Sequence, residues 1–553
     1  MALPSRRLGA TDIVRRSFEG CDSFMTTPKF VTRWRSEDLG HPIPEERHAV
    51  SVCLPRWRDN VGYEEGDPAV TGAMQCGYPR FFFHPDTARL FAECERRLAR
   101  PGECAIAFPS ERVARRCADF VSRETGATVR TAECLGDGVH AVLMPVTARD
   151  TAKAFWQHAG EIVPSRQAAA LLGQFRGQAP QNSELAGFSF DSTPHIVPPI
   201  LNSAVPDPAT DGAREKRLIR ERVAGLQGCS ADDVYLFPSG MAAIFTAYRL
   251  FQRLRPESRS VQFGFPYVDN LKIQQRLSRV KPVDRAVSFF PRGTESDIDE
   301  VARLAAAEPI LGLFVELPGN PLLGSPNVAR LSELSLRYDF PLLIDDTLAA
   351  CVNLDTLPIA DVVATSLTKY FSGAGNVLAG SLVLNRERPY YERLKTLLAE
   401  EFEDIFYGED AIVLERNSRD VAERIPKINA NAARLCEFLA ERPEVADVFY
   451  PARVDRVNYE RHLRPGGGFG GLFSVVLRDA AAKTERFYDA LQISKGPNLG
   501  TSFMLCCPFT ILAHYRELDF AESCGISRHL IRVSVGAEDS DWQIERFAEA
   551  LRS

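Results

Sequence analysis

None of the thirteen cysteines forms a C-x-x-C pair and none of the nine histidines lies in an H-E-x-x-H run. A zinc site therefore has no support in the sequence. Apolar runs are short throughout, and none approaches the roughly 18 residues that a membrane span needs. A basic excess is missing too. The 66 Lys and Arg face 73 Asp and Glu, for a formal net charge of −7, which argues against nucleic acid or an anionic membrane as the main partner. The start does not read as a signal peptide, and on that reading the odd, scattered cysteine set predicts free thiols in a reducing compartment. The start, MALPSRRLGATDIVRRSF, is arginine-rich, but Asp12 and then Glu19 are untypical of a transit peptide. A cytoplasmic location is expected.

What is present fits a soluble globular enzyme. The 553 residues are 45% hydrophobic and 25% charged, enough for three domains, or two with an extension. Residues 1–75 lack periodicity and read as an irregular arm that wraps another surface. From Tyr78 to Phe175 an α/β pattern begins. DTARLFAECERRLAR, ERVARRCADFV and DTAKAFWQHAGEI read as helices, with ECAIAFP, ATVRTAEC and HAVLMP as strands. A turn-rich stretch at 177–210 marks a boundary. Six apolar strands then follow between 213 and 390 (VYLF, SVQFGF, ILGLFVEL, FPLLID, ADVVAT and GSLVLN). Their alternation with helices predicts a mostly parallel sheet covered on both faces. A long helix over EDAIVLERNSRDVAERI and an α+β domain with LFSVVLRD and IRVSVG complete the chain. The predicted division is 1–200 for the arm and extension, 201–395 for the large domain and 396–553 for the small one.

Ser366-Leu367-Thr368-Lys369, downstream of Asp345, carries the chemistry. It reads as an anchor for pyridoxal phosphate. Lys369 would form the Schiff base, which requires an unprotonated, partly desolvated amine. The hydroxyls of Ser366 and Thr368 would hold the phosphate. Asp345 would keep the ring nitrogen protonated, as an electron sink requires.

Other stretches gain meaning beside it. Ser239-Gly240-Met241 lies between VYLF and a helix, where backbone N–H groups can meet an anion; taken alone, Ser239 is equally an ordinary N-cap. Tyr267 can lie flat on a planar ring or pack as a loop tyrosine. Asn320, between Pro318 and Pro321, can donate to a phenolate oxygen. Arg532 can clamp a substrate carboxylate or pair on the surface. Gly466–Gly471 (GGGFGG) precedes a strand and reads as a loop, not a dinucleotide site. Phe108-Pro109-Ser110 echoes Phe237-Pro238-Ser239; coincidence and duplication stand at even odds. Glu111 follows the first copy where Gly240 follows the second, so the first copy is not expected to bind a phosphate.

The order of SGM, Tyr267, E-x-P-x-N-P, I-D-D-T, S-x-T-K-Y and R-V-S-V-G-x-E-D resembles the Cys/Met-metabolism enzymes of pyridoxal-phosphate fold type I. HAVSVCLP, DNVGYEEG, GYPRFF, EDAIVLERNSRD and KGPNLGTSF extend the likeness to the long, fungal-type cystathionine γ-synthases. The resemblance implies an aspartate-aminotransferase-like large domain, a smaller C-terminal domain and a homo-oligomer, a dimer or tetramer with shared active sites. It also implies that Tyr78 and Arg80, as the Y-x-R motif, reach the cofactor phosphate from a neighbouring subunit.

The implied reaction is γ-replacement on an O-acyl-L-homoserine, with O-acetyl-L-homoserine and L-cysteine the expected pair. Lys369 would shuttle the Cα proton and Tyr267 would assist. Two departures bear on the second substrate: Asn498 stands where the family has serine in an S-L-G turn near the lysine and substrate, and Asn270 where threonine is usual. Both are expected in loops facing the substrate. They keep open a carbon nucleophile, such as an enolisable keto compound, in place of the thiol.

Overall fold

A computed structural model describes residues 31–134, 138–177 and 212–553. The arginine-rich start and most of the 177–210 boundary lie outside the described residues. The central feature is a seven-stranded sheet. Its order is Val234–Phe237, Gly380–Leu384, Val362–Thr365, Leu342–Asp345, Leu313–Glu316, Ser260–Phe263 and Val287–Phe290. Only Gly380–Leu384 runs antiparallel to its neighbours. The apolar runs are buried on both faces, as strands under two helical layers must be. The edge strand Val287–Phe290 had no separate signal in the sequence: it is half-buried, and its VSFF follows the polar KPVDRA.

The extension forms a three-stranded antiparallel sheet, Glu103–Phe108, His140–Pro145 and Arg130–Glu133. Helices Pro85–Leu98, Glu111–Thr125 and Arg149–Ala159 occur where their patterns predicted them. This unit shares one core with the large domain: Phe155 and Phe245 meet edge to face at 6.0 Å, beside Trp156 and Met241. The arm is less irregular than expected. Asp67 caps the short helix Pro68–Thr71, while helix Trp57–Glu65 docks on the C-terminal domain through the Trp57 N–H to Asp489 at 2.7 Å.

The long C-terminal helix is broken. Gly408–Asn417 and Val421–Ala440 are separate helices joined by a turn over residues 418–420; the Ser418 N–H still bonds to the Leu414 carbonyl, and its hydroxyl donates to the Leu414 and Glu415 carbonyls as well. Helix Tyr391–Glu401 packs on the large domain, and so does Gly408–Asn417. Beyond it, five strands form a second sheet: Val445–Phe449, Leu472–Leu477, Ile531–Ser534, Leu505–Pro508 and Ser494–Lys495.

The expectation of free thiols is corrected at one pair. Cys94 and Cys134 form a disulfide, because helix Pro85–Leu98 and the end of strand Arg130–Glu133 bring their Cα atoms to 6.1 Å. Among the described residues no helix is long and apolar enough to cross a membrane.

Candidate active site

Asp345 and Glu316 are the last residues of adjacent parallel strands, and Ser366 follows the end of the next one. Ligands collect at such carboxyl ends. A cleft enclosing about 1200 Å³ of empty space, its mouth included, opens there. Lys369, Asp345, Tyr78, Arg80, Tyr267 and Arg532 line it, together with Gly240, Met241, Asn320 and Ser366.

Lys369 is held from two sides. Its Nζ donates to Asn498 Oδ1 at 2.5 Å and lies 4.4 Å from the centre of the Tyr78 ring. Burial lowers the pKa of the amine, against the pull of Tyr78. Burial also opposes ionisation of Tyr78, but Lys369 and Arg80 outweigh it and hold the phenol below its usual range. Gly500 lets this approach happen, since a Cβ there, at φ +75°, would stand 2.6 Å from the Tyr370 nitrogen and 2.8 Å from Lys369 Cβ.

The floor is acidic. Burial pushes Glu316 up to about 8, with Asp345 adding to the effect. Asp345 is pushed up to about 6 by burial, against two hydrogen bonds from Thr347. Glu316 accepts from the backbone N–H groups of Tyr267 at 2.5 Å and Asn320 at 3.2 Å. Neither carboxylate has a cationic hydrogen-bond partner among the described residues. A buried cation such as a protonated ring nitrogen is what such a pair lacks. In the I-D-D-T run it is Asp345 that faces the cleft. Asp346 turns away to Thr365, Gln227 and Thr356.

The anion end is built around Gly240. A Cβ there would meet Ser366 Cβ at 2.7 Å, so a bare helix N-terminus faces Ser366. Arg80 supplies the cation. Its guanidinium donates to Asp269 Oδ2 and to Tyr267 Oη, both at 2.5 Å. Burial works against ionised Asp269, yet Arg80 and His158 hold it down at about 2. Two expected phosphate ligands are otherwise engaged. Ser239 Oγ caps its helix through the Ala242 N–H and donates to the Gly160 carbonyl at 2.8 Å. Thr368 Oγ1 exchanges hydrogen bonds with the backbone of Ala379. Neither lines the cleft. Arg532 donates to Asn320 Oδ1 at 3.3 Å and to the Pro497 carbonyl at 2.7 Å.

Asn498 lies beside the lysine, its side chain accepting from Lys369 itself. Two placements differ from expectation. Asn270 lies inside helix Val268–Arg276, 1% exposed, with its oxygen near Gln274, and does not line the cleft. Tyr78 and Arg80 enter from the same chain, because the segment ahead of helix Pro85–Leu98 folds onto its own large domain. Sequence reasoning missed Glu316, Asp269 and His158. Glu316 stood inside a motif already singled out; the others had no local signature. The echo does recur in space: Ser110 and Ser239 have the same extended backbone and both cap a helix. The first turn faces a carboxylate, however, with Ser110 Oγ donating to Glu403 at 2.8 Å.

Residues 212–552 match the family profile described as Cys/Met metabolism PLP-dependent enzyme, and 86–164 match the fungal trans-sulfuration enzyme N-terminal domain. A cystathionine gamma-synthase of Neurospora crassa is 36% identical, over 93% of this chain and 98% of that protein. The cystathionine gamma-synthase-like enzyme iboG2 of Amanita muscaria is also 36% identical, over 93% and 96%. The solved cystathionine gamma synthase of Xanthomonas oryzae pv. oryzae shares the fold with TM-score 0.54, at 20% identity over 62% of this chain and 86% of that one. Lysine, paired acids, bare helix N-terminus and Arg80 fit pyridoxal phosphate, and the chain belongs to the Cys/Met-metabolism family of enzymes that depend on it.

Proposed function

We propose that the protein converts an O-acyl-L-homoserine and L-cysteine into cystathionine and a free carboxylic acid, with O-acetyl-L-homoserine the preferred ester. The observation that carries this reading is the gathering of Lys369, Tyr78 and Arg532 around one cleft above a buried acid pair. Pyridoxal phosphate, when bound, supplies the electron sink that makes the Cα and Cβ protons of an amino acid acidic.

The remaining work falls to the chain. Arg532 has its guanidinium fixed by Asn320 and Pro497, and it receives the substrate α-carboxylate. Lys369, its Nζ held by Asn498, moves the proton at Cα. Tyr78 is close enough to share that proton and to keep Lys369 uncharged or charged as the step requires. Asp345 and Glu316 hold positive charge at the floor. Gly240, Met241 and Ser366, with Arg80, form the phosphate end, which Ser239 and Thr368 shape from behind. Tyr267, pinned by Arg80 and Glu316, offers a flat wall.

A second reading keeps the elimination and replaces the thiol by a carbon nucleophile. Asn498 favours it, since an unusual residue touches the proton-moving amine itself. Mass spectrometry of products from O-acetyl-L-homoserine, with and without L-cysteine, separates the two. Cystathionine supports the first reading. 2-Oxobutanoate alone in both mixtures refutes cysteine as partner, and no product at all refutes γ-elimination.

A further inference from the structure

Arg80 is held by more of the extension than the reading above uses. Two consecutive residues in the last turn of helix Arg149–Ala159, Gln157 and His158, converge on the pair that Arg80 makes with Asp269. The Gln157 carbonyl, one of those that a helix C-terminus leaves open, accepts from Arg80 Nη1 at 2.5 Å. The Gln157 amide donates to Asp269 Oδ1 at 3.0 Å, and His158 Nδ1 meets the same oxygen at 2.8 Å. Asp269 is ionised and can only accept, so His158 is the donor there. Arg80 takes the other oxygen, Oδ2.

Arg80, Asp269 and His158 are all buried, so water does not answer the carboxylate. A guanidinium beside a carboxylate frequently binds both of its oxygens, and such a pair is anchored but neutral. Here the ion pair uses one oxygen, because the extension occupies the other. Asp269, in the first turn of helix Val268–Arg276, thus divides its charge between Arg80 and the extension. Arg80 stays fixed and keeps positive charge to offer. Without His158, Oδ1 would be left with the Gln157 amide alone, and the carboxylate would turn its charge onto Arg80.

We propose that His158 is a positioning residue for the phosphate end: by sharing Asp269 it sets how much of the Arg80 charge a phosphate meets. Through it the extension governs the preference of the cleft for a phosphorylated ring over an unphosphorylated one. The inference rests on Arg80 facing the cofactor phosphate, as read above.

The test dialyses the full chain, freed of cofactor, against pyridoxal phosphate and against pyridoxal, which keeps the ring and aldehyde but lacks the phosphate. His158→Ala is expected to weaken pyridoxal phosphate about 10-fold or more and to leave pyridoxal within about 2-fold. His158→Asn, whose amide can donate in place of Nδ1, should recover most of the loss, and it carries the comparison if the alanine variant does not fold. Made on Asp269→Asn, the His158→Ala change should cost pyridoxal phosphate little, since the charge it manages is gone. Equal weakening of both ligands, or an undiminished cost on Asp269→Asn, would reduce His158 to a support of the fold and overturn the proposal. Arg80→Ala tells the two readings apart. A preference for the phosphorylated ring that survives Arg80→Ala removes Arg80 from the phosphate end and the role of His158 with it. A preference lost with Arg80 but untouched in His158→Ala removes the role of His158 alone.

Discussion

At the residue scale, the contact between Lys369 and Asn498 decides the most. A charge-assisted hydrogen bond is worth about 1.5–3 kcal/mol, so its loss shows in the rate. Asn498→Ala is expected to lower kcat about 10-fold or more while cofactor affinity stays within a few-fold. Steady-state rates and cofactor titration check this. Loss of cofactor instead would mean that Asn498 supports the fold of the site rather than the amine. The paired acids make a second prediction. Their folded-state pKa values lie above the ordinary carboxylate range, so the cofactor-free protein binds more protons than the unfolded chain. Its stability therefore falls as pH rises from about 4 to about 8, the window set by the ordinary carboxylates and Glu316. A bound ring cation reverses the repulsion and flattens the slope. Thermal melts with and without pyridoxal phosphate across this range measure it; parallel curves would argue against the acid pair as the cation site.

Residue chemistry was legible where it sits in short, contiguous motifs. Lys369, Asp345, Gly240 and Arg532 could be picked out because strand ends and turns carry them in fixed order. Asp269 and His158 could not, since their roles depend on groups far away in the chain. Thr368 shows the converse. A residue type suited to phosphate turned its hydroxyl to Ala379, because a buried N–H and carbonyl were waiting there.

At the scale of elements, helix Arg149–Ala159 is the key to how the extension reaches the site. It ends at Gly160, φ +68°, and a Cβ at that position would sit 2.3 Å from Ser239 Oγ and 2.8 Å from Met241 Cβ. Only glycine allows the helix to rest on the turn that forms the anion end. Gly160→Ala is therefore expected to weaken cofactor binding by about 10-fold or more and to lower the melting temperature, through strain at positive φ and the displaced cap. Unchanged cofactor affinity would show that the two turns are not coupled. Helices of the extension were readable because each keeps a strong apolar face. The break at Ser418 was not, since a serine whose hydroxyl returns to its own turn leaves the apolar spacing on either side intact.

At the scale of the whole molecule, Tyr78 and Arg80 line the cleft of their own chain. Were sites shared between subunits, as the family resemblance led us to expect, co-expressed Lys369→Ala and Arg80→Ala chains would recover about a quarter of the wild-type sites by pairing. Here the expected recovery is none beyond the sum of the separate variants. Activity assays on the purified mixed oligomer decide it, and a clear rise would return Arg80 to the partner.

The same arrangement has a consequence in time. Chain synthesis at about 5–20 residues per second brings Lys369 out of the ribosome roughly 15–60 s after Tyr78. Within it, the stretch from Trp156 to Leu254 takes about 5–20 s, and for those seconds Phe155 and Trp156 wait for the helix Gly240–Leu254 that will cover them. The core that the extension shares with the large domain is thus, early in each chain's birth, an exposed greasy surface.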